Sequence, residues 1–482
     1  MPGLLASRHR QHLRRAITLT LSLSAIALIG CRPRETAPKE LPPIIFISLD
    51  TLRWDALGAT RGEQPSLTPS LDQFAADSVL LTKVVVPMPF TLASHMSMFT
   101  GLYPQVHRVT TPKESLSSNI QTLSEILQQA GYRTTGRVTN DWLKAEFGFG
   151  RGFEDYQRLP HRLTYSDRVN ASAEAALAAA ADDPRPLFLF LHYMDAHSDF
   201  FQQGRNRLPY YSPARFRDDV GTVENDAFCD DQGRCATQFL LEADREGRVV
   251  SDAHVASLRK LYESGVRYLD RDMGKLFSRL EEQGLYDRSL IVLTSDHGEE
   301  FQEHGKFLHS QIYDESVRVD LLLKLPRQHL AGTRIDTQIE IVDLLPTVLD
   351  LIGLQASHPL QGRSLVPLIQ GDPFTERAAL SQNKLNRMRF AMRTDDYKII
   401  HDLKAGTEEV YDLRQDPGET TNLAESDPEL TARLRKELNE LVKANRTMAQ
   451  ELHREEPGVT ASGDSVLTEE ERQRLKALGY IQ

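Results

Sequence analysis

The sequence predicts an α/β fold: a large, mostly parallel sheet sandwiched by helices, with a small α+β subdomain at its C-terminal end. Three observations carry this expectation. Residues 44–49, 187–191 and 290–293 form apolar runs too short for helices and without polar alternation, as strands buried on both faces do. Helical patterns lie between them, over 122–130 closed by Gly131 and over 255–283 closed by Gly284, so strand and helix alternate as in a doubly wound sheet. Past about residue 375 the pattern changes to strand-like pieces starting at Arg389, Tyr397 and Glu408, then an amphipathic helix over 428–449.

Taken in order, the chain opens on an export pattern. Arg8, Arg10, Arg14 and Arg15 precede an uncharged apolar stretch over 16–30. That stretch is short of the roughly 20 residues a membrane-crossing helix needs, so a signal peptide over 1–30 is expected and a transmembrane anchor is the rival reading. Its end, Leu28-Ile-Gly-Cys31, resembles the lipobox of bacterial lipoproteins, which makes Cys31 the expected lipidation site and new N-terminus. Residues 31–41 then read as a polar tether, and the expected location is the bacterial cell envelope, periplasmic or outer surface, with the membrane reached through the lipid. Hydrophobic residues at 40 % and charged residues at 26 % exclude wholesale disorder and a polytopic membrane protein. A net charge of −11 suggests no nucleic-acid partner, and it means that an anionic substrate needs positive charge focused locally.

Residues 42–374 form the expected catalytic domain and 375–482 the C-terminal subdomain. All three apolar runs lead into polar groups: Asp50 after the first, Asp195 and His197 after the second, Asp296 and His297 after the third. Ligand crevices in open parallel sheets lie beyond the carboxyl ends of strands, so three acidic strand ends are expected to face one crevice. The polar stretch 199–251 breaks the rhythm and reads as an insertion near the site mouth. It holds Cys229 and Cys235, six apart, for which a disulfide is expected in oxidising surroundings. A metal pair is the rival, with no further cysteine or nearby histidine to complete it.

The densest signal is Thr91-Leu-Ala-Ser-His95, leading through a Met/Phe helical pattern into Thr100-Gly-Leu-Tyr-Pro104. This resembles the signature of the sulfatase family, in which a Cys or Ser oxidised to formylglycine is followed by Pro and Arg at alternate positions. Aligned backwards from Pro104, the modified residue falls on Thr91, the proline on Ala93 and the arginine on His95, so three positions differ. Further blocks stand in the family's order, among them Ser48-Leu-Asp-Thr, Ser295-Asp-His-Gly-Glu, Tyr313-Asp-Glu-Ser, Asp343-Leu-Leu-Pro-Thr and the terminal Leu475-Lys-Ala-Leu-Gly-Tyr480.

The resemblance implies an alkaline phosphatase-like fold and one divalent metal ion, Ca, Mg, Mn or Zn, held by Asp50, Asp296 and His297 and touching Thr91. It also implies His197 and His309 on the substrate side, and His95 in the place of an arginine that orients the nucleophile. Arg137 and Asn140 fall near a substrate-contact region. Thr51 stands where the family often has a second carboxylate, which makes calcium less assured. Threonine is no substrate for formylglycine formation, but related phosphoesterases of the wider superfamily use a metal-bound threonine as nucleophile.

The expected activity is therefore hydrolysis of an anionic ester, sulfate by family resemblance or phosphate by threonine chemistry. The rivals are transfer of a phosphorylated headgroup between envelope glycolipids and a catalytically silent binding lipoprotein. Plainer roles stand beside these. Thr91 can simply cap the following helix, and His192 and His304 read as structural or surface histidines.

Overall fold

The computed structural model describes residues 41–62, 65–160, 165–198, 208–210, 212–216, 227–231, 233–383 and 388–454. The signal peptide, Cys31, the tether up to residue 40, parts of the insertion and the block ending at Tyr480 lie outside the described residues. Among the described residues, no helix is long and apolar enough to cross a membrane.

The strands of the main sheet are β1 (Ile44–Leu49), β2 (Val79–Val85), β3 (Arg133–Val138), β4 (Asp155–Arg158), β5 (Leu187–Tyr193) and β6 (Leu290–Thr294). A two-residue hairpin follows, β7 (Glu300–Phe301) and β8 (Phe307–Leu308), and then β9 (Arg318–Lys324), β10 (Thr333–Ile335) and β11 (Ile339–Glu340). The order across the main sheet is β10-β2-β9-β6-β1-β5-β3-β4, with β11 also on β2. Pairing is parallel except that β9 runs antiparallel to both β2 and β6. Every residue of β1 is buried, as is every residue of β5 and β6, which is what an unbroken apolar run requires of a central strand.

Helices Pro69–Ala76, Ser166–Ala180 and Asp252–Glu282 pack as one group, and Thr91–Thr100, Leu123–Gln129 and Leu344–Ile352 as another. The boundaries follow local chemistry. Thr122 and Glu125 form a reciprocal capping box ahead of Leu123. The Thr91–Thr100 helix stops at Gly101, whose φ of 66° an L side chain disfavours.

A second, antiparallel sheet holds β12 (Ala379–Gln382), β13 (Arg389–Arg393), β14 (Tyr397–Asp402) and β15 (Thr407–Asp412). The Pro428–Leu452 helix lays Leu434, Leu438 and Val442 against Phe390, Met392, Ile399 and Val410, making a small separate core. Its acidic residues keep to the outer face.

Candidate active site

Strands β6, β1 and β5 lie side by side and parallel, with Ser48 in register with both His192 and Thr294. Their carboxyl ends therefore open at one place, and that place gathers Asp50, His192, Asp296 and His297, all fully buried. Ligand atoms of Asp50, Asp296 and His297 lie within 4.8 Å of one another. Nε2 of His297 is 3.4 Å from Oδ2 of Asp296 and 3.9 Å from Oδ1 of Asp50.

Backbone strain helps to hold the two carboxylates. Thr51, directly after Asp50, has φ of 58°. A β-branched residue in that region costs on the order of 1–3 kcal/mol. The turn lets the Thr51 N–H donate to Oδ1 of Asp296 at 3.2 Å while its hydroxyl donates to the Asp50 carbonyl at 2.7 Å. Tyr262, from the long helix, locks the same turn by donating to the Thr51 carbonyl and accepting from the Arg53 N–H.

Among the described residues, Oδ1 of Asp50 and Oδ2 of Asp296 are buried and accept no hydrogen bond. An orphaned carboxylate oxygen in a dry interior is costly, and two of them facing one imidazole make a donor set that fits a divalent cation. The electrostatics agree. Burial and the charge of Asp50 push the Asp296 carboxyl well above its ordinary range. Burial works against the Asp50 anion too, but His197, His192 and His297 outweigh it and hold that carboxyl well below. Two carboxylates this close cannot both stay charged unless a cation joins them.

Thr91 is buried at the first position of its helix, and its hydroxyl donates to Oδ2 of Asp50 at 3.5 Å. The plain capping role fails: Phe90 occupies the cap position and no side chain caps the helix. Thr91 instead places its oxygen beside the carboxylates, at the partially positive end of the helix.

His197 and His309 come together over this cluster, with ring centroids 5.4 Å apart and His309 4.3 Å from His297. Nδ1 of His197 faces the Ser198 carbonyl at 2.8 Å, and Nδ1 of His309 faces Oε1 of Glu299 at 3.3 Å.

His95, in the place of the orienting arginine, lies at the cluster and holds the backbone of Thr91: Nδ1 is 2.8 Å from the Thr91 carbonyl, which can only accept, so Nε2 accepts from the Ser48 hydroxyl at 2.8 Å, and Nδ1 is 3.6 Å from Oδ2 of Asp296. Burial and the neighbouring His192 lower it to about 3, so it is neutral. Three expectations need correction. Arg137 does not reach the site, because its guanidinium is taken by Asp155 at 2.6 Å and Ser172 at 2.9 Å. Asn140 is in the cluster but donates to Oδ2 of Asp50 at 3.1 Å, steadying that carboxylate. Asp195 turns away to accept from the Ser166 N–H at 3.1 Å, at the start of the Ser166–Ala180 helix, so two acidic strand ends share the crevice and the third does not.

Two groups were missed. His192 is fully buried with Nε2 3.2 Å from Oδ2 of Asp50, neither a surface residue nor remote from the site. Its signal is a lone polar residue at the end of an apolar strand. Glu299 is sealed behind His309, and burial with the charges of Glu300 and Asp50 holds its carboxyl well above the usual range. Cys229 and Cys235 form a disulfide.

A family model described as sulfatase matches residues 42–354, and one described as N-sulphoglucosamine sulphohydrolase, C-terminal, matches 302–445. The chain is 23 % identical to an N-acetylglucosamine-6-O-sulfatase of Bacteroides thetaiotaomicron, over 84 % of this chain and 87 % of that protein. It is 28 % identical to arylsulfatase K of Mus musculus, over 88 % of this chain and 84 % of that one. Its fold is similar to the crystal structure of a phosphonate monoester hydrolase of Agrobacterium radiobacter, with a TM-score of 0.69, 20 % identity and coverage of 84 % and 96 %. With the sulfatase model covering most of the chain around this cluster of carboxylates and histidines, the protein belongs to the sulfatase family of ester-hydrolysing enzymes.

Proposed function

We propose that this enzyme hydrolyses a phosphate ester, mono- or diester, through Thr91 as covalent nucleophile, at the bacterial envelope. One observation carries the reading: a hydroxyl that cannot become formylglycine, Thr91 Oγ1, stands 3.5 Å from Oδ2 of Asp50 at the start of the helix where the family places its modified cysteine. Asp50, Asp296 and His297, with Oγ1 of Thr91, are the groups that would hold one divalent cation. Such an ion stabilises the anion of a bound hydroxyl and neutralises the ester's oxygens.

Thr91 Oγ1, ionised beforehand with its proton released to solvent, attacks phosphorus as the bond to the leaving oxygen breaks, and that oxygen takes a proton from Nε2 of His197 or His309. Water then attacks the phosphothreonine, its proton returning to the same imidazole, and phosphate leaves with Thr91 restored. Asn140 and His192 keep Asp50 in place meanwhile. Ser48 and His95 fix the backbone from which Thr91 projects.

Sulfate ester hydrolysis is the second reading, supported by the family match and by sulfatases among the relatives. Paired aryl phosphate, phosphate diester, phosphonate and sulfate substrates, assayed with Mn²⁺, Zn²⁺, Mg²⁺ or Ca²⁺ beside Thr91→Ala, separate the two. Phosphate turnover lost in the variant is the expected result. Sulfate turnover that survives Thr91→Ala overturns the nucleophile. Lipid anchoring rests on Cys31, and a Cys31→Ala protein that stays membrane-bound in its processed form overturns it.

A further inference from the structure

The segment that carries His309 is held from outside its own hairpin. Residues 307–311 run from β8 past the histidine, and polar backbone groups on either side of it are claimed by separate parts of the chain. Before His309, the Phe307 N–H donates to Oδ1 of Asp244 at 2.9 Å, and Asp244 lies on the helix Thr237–Glu246 of the insertion. After it, the Ser310 carbonyl accepts from Nδ2 of Asn383 at 2.6 Å, and Asn383 directly follows β12 of the C-terminal sheet. The Ser310 and Gln311 N–H groups donate to Oε2 of Glu300, on β7, at 3.0 and 3.1 Å. We propose that Asp244 and Asn383 are positioning residues for His309, so that the insertion and the C-terminal subdomain together set where its imidazole stands over the Asp50 cluster.

The backbone at this point needs an external hold. Leu308, directly before His309, has φ of 69°. An L side chain disfavours that left-handed conformation, which persists only where the surroundings over-determine it. Leu308 pairs with Glu300 across the hairpin, and the bonds from Asp244 and Asn383 bracket Leu308 and His309 from either side.

The insertion is also fastened to the hairpin at a second point. The Val250 N–H donates to Oε1 of Gln302 at 2.7 Å, and Nε2 of Gln302 donates to the Val250 carbonyl at 2.8 Å. The helix of Asp244 is braced in turn by Arg234, which lies 2.6 Å from Asp230 and 3.1 Å from Glu242, beside the Cys229–Cys235 disulfide. Asp244 therefore stands on an element fixed at both ends of its reach to the hairpin.

This role rests on the proposed function, in which His309 protonates the leaving oxygen. Glu299, 3.3 Å from Nδ1, fixes how the ring is turned, whereas the backbone at 307–311 fixes where the ring is. A misplacement of about 1 Å can cost about 10²-fold in rate.

Leaving groups supply the test. Phenolate is a poor leaving group that gains from a proton donor, and dinitrophenolate departs without one. On the metal-loaded full chain, kcat and KM are measured for the phenyl and dinitrophenyl esters of whichever acid the parent turns over, phosphoric or sulfuric. The outcome is then independent of the phosphate reading. Asp244→Ala and Asn383→Ala are each expected to lower kcat for the phenyl ester about tenfold, with KM and the dinitrophenyl rate within about twofold of the parent. Asp244→Asn keeps an acceptor oxygen for the Phe307 N–H and is expected to restore the phenyl rate. His309→Ala sets the benchmark, with the same selective loss on a larger scale. Should one alanine variant fail to fold, the other carries the test, because the two contacts come from different parts of the molecule. Equal losses on both esters, or no loss, beside a selective loss in His309→Ala would make the contacts structural only and overturn the proposal. If His309→Ala itself loses both esters equally, His309 is not the proton donor and the proposal falls with that role.

Discussion

Asp314 lies between Arg393, at 2.9 Å, and Lys398, at 3.0 Å, and its carboxylate oxygens are fully used. Asp50 and Asp296 are as deeply buried, yet each keeps an oxygen that accepts nothing, and the groups around them are imidazoles rather than permanent cations. Burial pushes the Asp314 carboxyl up, but its two cations overcome that and hold it far below the ordinary range, whereas the Asp296 carboxyl is driven up. The same price in desolvation is thus met by the chain's own charges in one cluster and left to an exogenous ion in the other. In this molecule the balanced cluster is scaffold, and the two orphaned carboxylate oxygens that face one imidazole are the binding site.

The comparison breaks most decisively at the unbalanced cluster. Asp296→Asn should cut turnover by at least about 10³-fold, as loss of a group that acts as part of a catalytic unit does. In chelator the same variant should melt higher than the parent, because buried Asp296 must take up a proton that the unfolded chain releases near neutral pH, and asparagine need not. A chelated variant that melts lower would show that Asp296 is balanced by the fold after all.

The balanced cluster should respond in the opposite way. Asp314→Ala leaves Arg393 buried without its carboxylate and Lys398 with Glu419 alone, and should cost about 3–5 kcal/mol, read from denaturant midpoints. Activity per folded molecule should change far less than in Asp296→Asn.

A third buried carboxylate sharpens the contrast. Asp320 has a hydroxyl donor, Thr60 at 2.7 Å, and burial pushes it up to about 8. The folded state then keeps a proton that the unfolded chain releases near pH 4. Its contribution to stability is complete below that pH and is lost as pH rises through about 8. Asp320→Asn should flatten the decline in urea midpoint between pH 5 and pH 9, and an unchanged slope would assign the decline to other groups.

The smallest effect should come from behind the site. Glu299 faces Nδ1 of His309, so Glu299→Gln should lower kcat about tenfold with little change in KM, as loss of an orienting partner does. Equal changes in both constants would argue that Glu299 shapes the crevice rather than the imidazole.

Much of this was legible along the chain. The run 44–49 matches β1, and 187–191 and 290–293 grew by two residues and one in β5 and β6. The helix expected over 428–449 extends to Leu452. Asp50, Asp296 and His297 could be read because Asp50 directly follows β1 and the other two follow β6 after Ser295, and in a parallel sheet those ends converge. The antiparallel course of β9 could not be read, since an apolar strand looks the same in either direction.

What the sequence by itself determined is the set of central strands, the polar groups at their carboxyl ends and the family order of the blocks, because periodicity and chain order are local properties. The tertiary structure decided which of those groups serve the site. Asp195 and Asp50 follow apolar strands in the same manner, but the Ser166 N–H claims Asp195 and leaves Asp50 to Thr91, Asn140 and His192. His95 was likewise claimed by Ser48 and by the Thr91 carbonyl. The demand of a buried backbone or hydroxyl group for a partner is met across distances of tens of residues, and only the packed chain shows who meets it.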